Sequence, residues 1–286
     1  MANKESHGLH TLSAAGVLIS LGIIFGDIGT SPIYVLKAIM NMATSGNHPI
    51  TDDLILGGVS CVFWTLTIVV TIKYVIIALN ADNNGEGGIF ALYAIVRRYK
   101  AKWTLIPALL GCASLMADGF ITPPISISSA VEGLTILYPD IQTVPIVIGI
   151  LVIIFLVQQF GTNKIGVLFG PIMFIWFSMI GILGTIQIFH NPSVFKALNP
   201  MYAFNLVLNY PGGFWFLGAV FLCSSGGEAL YSDLGHCGKK NVRVSWTFVK
   251  ITLLLSYLDK LHSSLEIEIM IFKIQRRFMP SCRLGF

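Results

Sequence analysis

Charge is scarce in this sequence. Asp, Glu, Lys and Arg make up 11% of 286 residues, against about 25% in ordinary soluble domains. Apolar residues reach 55% and the mean hydropathy is +0.77. So little polar sequence separates the apolar segments that no soluble domain of normal size fits, and the composition is that of an all-α polytopic membrane protein. The net charge of +4 gives no sign of nucleic-acid binding. Cysteine is also sparse: Cys61, Cys112, Cys223, Cys237 and Cys282 form no CxxC or Cys/His pattern, so neither a zinc site nor a disulfide framework is indicated. The apolar run Leu12–Gly26 behind Lys4 lacks a small-x-small cleavage site and resumes after GDIGTSP, unlike a secretory leader. Asn191-Pro-Ser has proline in the middle position and is no glycosylation acceptor. GEGG at 85–88 lacks the Lys-Ser/Thr of a phosphate loop and the spacing of a dinucleotide fingerprint, which leaves a tight turn before a short interfacial helix.

Long apolar runs are abundant. A membrane span takes about 20 mostly apolar residues, and candidates lie at 12–43, 54–79, 103–137, 143–161, 165–189 and 213–234, with a seventh opening near 243. The third would be about 50 Å long as one helix. It must therefore tilt, bend near Pro123-Pro124 or continue beyond the bilayer. With the N-terminus cytoplasmic, the inside loops carry Lys4, Arg97, Arg98, Lys100, Lys102, Lys164, Lys239, Lys240 and Arg243, whereas the outside loops carry only Lys37 and Lys196. That asymmetry places the N-terminus inside. The expected organisation is a cytoplasmic N-terminus at 1–11, a transmembrane region at 12–255 and a divergent tail at 256–286. In the tail, Lys250 to Leu258 is too short to cross, and Asp259-Lys260 is expected to stop the span.

The first span contains GIIFGDIGTSPIY, in which Asp27 sits among glycines and a proline. A carboxylate at membrane depth is costly, and Gly and Pro continue helices poorly. Ser31-Pro32 reads as a helix start, with serine as cap and proline at the first helical position. Gly26 and Gly29 permit conformations other residues avoid. The expectation is a half-helix over Leu12–Phe25, an unwound stretch over Gly26–Thr30 and a second half-helix from Pro32. Non-helical backbone at this depth is tolerated only where protein or a water-filled cavity surrounds it, so Asp27 belongs to a site. CSSGGEALYSDLG repeats the device in the sixth span, with Glu228 as its acid. Two interrupted spans, five apart and entered from opposite sides, mark an inverted-repeat transporter; close helix packing by small residues is the competing reading.

The third span adds Asp118 near mid-membrane, with Thr122 and Ser126 on the same helical face. Glu132, nearer the outer end, is equally consistent with a site wall and with a structural role. Carboxylates, hydroxyls and freed carbonyls are ligands for a hard cation, magnesium and calcium among them by ligand type. Three carboxylates in a dry cavity cannot all be ionised without a counter-charge, so a monovalent cation together with a proton is the expected cargo.

FGDIGTSPIYVL, ADNNGEGGIFALY, ADGFITPPISISSAVEGL and GGEALYSDLGHCG resemble the KUP/HAK/KT potassium uptake permeases, collinearly over about residues 12–254. The resemblance implies the N-terminal half of the amino acid–polyamine–cation superfamily inverted-repeat fold, with helices 1 and 6 broken. It implies a secondary transporter rather than an enzyme, taking up K+ with H+ by symport, with no cofactor. Carried over by position, the ion-site acids are Asp27, Asp118 and Glu228, the lining tyrosine is Tyr34, and hydroxyl positions fall on Thr122, Ser126 and Ser225. The choice of potassium over sodium comes from the resemblance alone. Expected partners are the potassium ion, the proton and the lipid bilayer, with a homodimer or a separately encoded C-terminal half left open. The expected location is the plasma membrane, or the bacterial inner membrane.

The similarity read in this way stops near Leu255, where relatives continue with an Asn-Tyr-x-Gly-Gln-like run. SYLDKLHSSLEIE has the look of a truncated or frameshifted product, so a non-transporting fragment, or a half-transporter needing a separate C-terminal half, is the alternative. A membrane-embedded aspartyl enzyme is a third class. Its GxGD pattern is absent, because Ile24-Phe25 precedes Gly26-Asp27.

Overall fold

The interruption expected in the first span is present. The computed structural model describes residues 11–45, 51–98, 102–136, 138, 140–158, 162–190 and 192–278. Helix α1 (Ala14–Ile24) gives way at Phe25, residues 26–30 form successive turns, and α2 (Ser31–Ser45) begins. Ser13 caps α1, its Oγ accepting the Gly16 amide at 3.0 Å. The break is tighter than full unwinding. The Gly29 amide still reaches the Phe25 carbonyl at 3.0 Å, and the Thr30 amide closes a shorter turn on the Asp27 carbonyl at 3.0 Å. Ser31 does not act as the cap expected of it. It is the first residue of α2, and its Oγ donates back to the Ile28 carbonyl at 2.8 Å, the local bond by which serine competes with the helix ladder.

The second span, α3 (Asp52–Thr65), starts on a Thr51 cap with Asp52 and Asp53 in its first turn, where negative charge meets the positive end of the helix dipole. It continues as a π-helical stretch, Leu66–Ile77, and a 3-10 turn, Ala78–Asn80. The wider turn lets Thr71 Oγ1 bond to the Leu66 carbonyl, five residues back, at 3.0 Å. After the turn that contains Gly85 comes α4 (Ile89–Arg97), then α5 (Leu105–Glu132), which stays helical through Pro123 and Pro124 and ends in a 3-10 turn, Gly133–Ile136. The 28 residues of α5 are about 42 Å long, so this span exceeds the hydrocarbon thickness without breaking at its prolines. Helices α6 (Thr143–Gln158), α7 (Thr162–His190) and α8 (Pro200–Asn209) follow. Residues 159–161 of the expected fourth span lie outside the described residues.

The sixth span is broken as expected. Helix α9 (Gly213–Phe221) tightens to a 3-10 turn at Leu222–Ser224, residues 225–228 turn, and the chain resumes as the short helices α10 (Ala229–Ser232) and α11 (Leu234–Cys237). Among the described residues, Asp52–Asn80, Leu105–Thr135, Leu168–Phe189 and Gly213–Ser232 are long and apolar enough to cross a membrane, and Ala14–Ile24 and Thr143–Leu156 are shorter apolar helices.

The helix itself does not end at Asp259-Lys260, where the span was expected to stop. Helix α12 runs from Lys239 to Phe278, and Asp and Lys are both tolerated in a helix interior at small cost. Its part from Lys239 to Leu258 is about 30 Å long, but it is not among the described helices that are long and apolar enough to cross a membrane. Val242, Trp246, Val249, Leu253 and Tyr257 form its buried stripe, at the spacing of one helical face.

Helices α1 and α12 both pack on α7. Lipid tails are as apolar as leucine, so this association relies on close packing and hydrogen bonds rather than on expulsion of water. Glycines on α7 permit the close approach: a Cβ at Gly184 would lie 2.5 Å from the Leu255 carbonyl oxygen, and one at Gly170 would collide with that of Leu18. Helices α5 and α6 pack on each other, and α5 also touches α2 and α4. Leu109, Leu110, Met116, Phe120 and Ile121 of α5 are each more than half exposed.

Neither glycine of the first break has the left-handed backbone expected of it; the positive-φ glycines are Gly85, Gly88, Gly212, Gly226 and Gly238. Gly29 is needed for space instead. A Cβ there would lie 2.7 Å from Phe177 Cζ and 2.9 Å from the Phe25 carbonyl oxygen, whereas one at Gly26 would meet nothing within 4 Å. Gly29→Ala is therefore expected to destabilise the protein by about 1–3 kcal/mol, read as a lower thermal unfolding midpoint in detergent, and Gly26→Ala to leave the midpoint unchanged or slightly raised. Equal midpoints for the two variants would remove the packing role given to Gly29.

Candidate functional site

The two breaks lie against each other. Gly226 has φ +80°, a left-handed conformation available at low cost only to glycine. A Cβ at this position would also lie 2.7 Å from Asp27 Oδ2. Both constraints act at one residue, and together they bring Ser225 to Asp27.

Ser225 joins three spans. Its Oγ is 3.3 Å from Asp27 Oδ2 and 3.0 Å from Asp118 Oδ1. Thr122 Oγ1 donates to the same Asp118 oxygen at 3.0 Å and lies 3.3 Å from Ser225 Oγ. The face shared by Asp118, Thr122 and Ser126 survives the two prolines because α5 does not kink out of register. Glu228 stands beside Asp118 and within electrostatic range of Asp27. Among the described residues, however, no three acidic, His or Cys side chains gather closely enough to hold one metal ion. The expected meeting of three acids therefore takes the form of a string, Asp27–Ser225–Asp118–Thr122 with Glu228 alongside, rather than an acid-rich cage for a divalent cation.

A polar seam leads away from this string between α2 and α5. Thr30 Oγ1 donates to the Asp27 carbonyl at 2.8 Å and lies 3.1 Å from Ser126 Oγ. The Tyr34 hydroxyl, on a side chain only 5% exposed, neighbours both of these hydroxyls. At the far end Lys37 pairs with Glu132, so the open question about Glu132 resolves as an ion pair outside the acid string. Tyr34 and Lys37 of α2 and Thr30 of the turn before it recur at helical spacing, as do Asp118, Thr122 and Ser126 on α5.

Several residues in contact with the breaks carry no sequence motif. Trp176 of α7 donates its indole N–H to the Gly29 carbonyl at 2.9 Å, which satisfies backbone polarity left open by the break. Tyr257 of α12 donates to Ser31 Oγ at 3.0 Å. The buried Trp246 donates to Thr71 Oγ1 of the π-helical stretch at 3.1 Å. Spacing alone had no means of pairing these residues, which come from distant parts of the chain.

At the opposite end of the spans the loop 80–88 fastens to the end of the sixth span and the start of α12. Lys239 Nζ is 2.5 Å from Asp82 Oδ1, Arg243 bonds to Asn80 Oδ1 at 3.0 Å, and the Tyr231 hydroxyl donates to the Ala81 carbonyl at 2.5 Å. The hydrogen-bonded Lys239 ammonium holds the Asp82 carboxyl below the usual carboxylate range. Asn83 and Glu86 bridge across a turn whose Gly85 amide bonds to Asp82 Oδ2 at 3.0 Å. That amide is occupied within the turn, in keeping with the expected turn and against a phosphate cradle. A separate cleft of about 320 Å³, lined in part by Thr51, Asp53, Tyr202, Asn205 and Asn209, lies near the start of α3, and none of the acid string lines it.

The family model described as "K+ potassium transporter integral membrane domain" matches residues 14–266. A Flavobacterium johnsoniae protein is 61% identical over 259 residues, which is 89% of this chain and 39% of that protein. A Flavobacterium psychrophilum protein is 58% identical over 258 residues, with 90% and 39% covered, and an Enterococcus faecalis protein 50% identical over 266 residues, with 90% and 40% covered. Each of the three is named probable potassium transport system protein Kup. The chain thus spans about two fifths of the length of these curated relatives. No solved structure matches it significantly. The chain belongs to the K+ potassium transporter integral membrane domain family.

Proposed function

We propose that this chain carries the ion site of a secondary transporter that takes up K+ together with H+ across the plasma membrane, with its N-terminus in the cytoplasm. The observation that carries this reading is the single Ser225 hydroxyl set between the carboxyl groups of Asp27 and Asp118. A serine hydroxyl has one proton to donate. With both acids ionised, one of the two contacts would bring lone pairs together, and unit charges roughly 5 Å apart at an effective dielectric near 20 repel by about 3 kcal/mol. A proton on one carboxyl, or a monovalent cation between them, relieves both problems. Carboxylate, hydroxyl and carbonyl oxygens are hard ligands suited to such a cation, and the potassium system names of the relatives favour potassium.

In this reading Asp27 and Asp118 hold the ion, Ser225, Thr122 and Tyr34 supply neutral oxygens, and Glu228 adds charge from the sixth span. The seam past Ser126 to Lys37–Glu132 is the route from outside. Because the relatives are more than twice as long, uptake is proposed for the protein completed by a C-terminal half, supplied in one chain, as a separate polypeptide or within a homodimer.

Asp27→Asn is expected to abolish radioactive rubidium uptake by cells that express this chain fused to the C-terminal part of the Flavobacterium johnsoniae relative. Uptake equal to the parent fusion would exclude Asp27 from the site. Ser225→Ala removes the shared donor and is expected to raise the rubidium concentration for half-maximal uptake by about ten- to a hundredfold, as for a hydrogen bond to a charged group; an unchanged value would argue against the bridge. In proteoliposomes containing the fusion, potassium entry should acidify the lumen. Entry of one charge per potassium with no pH change would contradict symport.

A further inference from the structure

Tyr257 lies near the end of the family match, which runs to residue 266, and it is 1% exposed and reaches the break of the first span. Its hydroxyl donates to Ser31 Oγ at 3.0 Å, and Ser31 Oγ in turn donates to the Ile28 carbonyl at 2.8 Å. The two bonds are compatible, since Ser31 gives its proton to Ile28 and keeps a lone pair for Tyr257. Ile28 is itself 1% exposed and adjoins Asp27. Tyr257 also stands within electrostatic range of Tyr34, in the polar seam, and of Cys223, in the 3-10 turn that leads into the second break. The register of α12 at this level is set by close packing, because the Leu255 carbonyl and the Ser256 amide lie where Gly184 of α7 has no side chain. A buried tyrosine normally finds some partner for its hydroxyl. Here that partner is bonded to the backbone of the break instead of to a regular helix.

We infer that Tyr257 is a positioning residue for the cation site: by donating to Ser31 it fixes the turn at 26–30 and so the direction in which Asp27 presents its carboxyl. This rests on the proposed reading of Asp27 as an ion ligand. It also assigns a role to the start of the segment expected to be a divergent tail, which the family match includes as far as residue 266.

The test uses the whole chain in lipid nanodiscs and reads amide hydrogen exchange across residues 26–33, with and without potassium. Tyr257→Phe keeps the ring and removes the hydroxyl. Exchange across 26–33 is expected to quicken by about three- to tenfold. The potassium concentration that half-slows this exchange is expected to rise by a similar factor, with exchange in α7 unchanged. Ser31→Ala removes the acceptor of that bond and the bond to the Ile28 carbonyl as well, so it should give a shift at least as large, and adding Tyr257→Phe to it should change nothing further. Unchanged exchange across 26–33 in both single variants overturns the inference, as do fully additive effects. Equal potassium responses in wild type and variants overturn the inference and leave the ion-site reading standing. A wild-type chain whose exchange ignores potassium overturns the ion-site reading itself, and with it the cation-site part of the inference.

Discussion

Ser225 has one proton to donate and two carboxyl groups within reach of it. That one hydroxyl joins the first, third and sixth spans at the centre of the molecule. Reaching the arrangement requires backbone that is not helical at membrane depth. Gly226 makes the turn with a positive φ and no side chain, and the turn at 26–30 delivers Asp27 to it. Broken backbone in a bilayer must find its hydrogen bonds inside the protein. The surrounding helices are arranged to provide them.

Helices α7 and α12 do most of this work. Trp176 satisfies the Gly29 carbonyl, Tyr257 bonds to Ser31, and Trp246 bonds to Thr71 where α3 widens into its π-helical stretch. Lower down, the buried Asn241 accepts the Ser13 amide at 3.2 Å and donates to the Thr11 and Cys237 carbonyls, while Ser245 bonds to Ser20 and to the Val17 carbonyl. The start of α1 is thereby tied to the start of α12. Helix α12 is thus part of the support for the first break.

The two ends of the molecule are held differently from its middle. Lys37–Glu132 at one end and Asp82–Lys239 at the other are partly exposed ion pairs, a class worth about 0–1 kcal/mol. The middle rests on buried hydroxyls, indoles and close glycine contacts, each of which is costly to disrupt.

The amino-acid sequence determined the breaks themselves, because their causes are local. Gly, Ser and Pro inside apolar runs, with an acid in each, cannot continue as lipid-facing helix, and the i, i+4, i+8 spacing put Asp118, Thr122 and Ser126 on one face. The sequence also carried two readings that local rules could not settle. Ser31 looked like a cap but bonds backward to Ile28, and the helix continues past Asp259-Lys260, where the span was expected to stop. For Ser31 an interaction available only in the assembled protein takes part, because Tyr257 donates to its oxygen. Tertiary structure alone decided that Gly29 is required for space, that Glu132 pairs with Lys37, and that the acids form a string and not a cage. Those outcomes depend on contacts between residues far apart in the chain, and such contacts leave no periodicity or motif in the segments that make them.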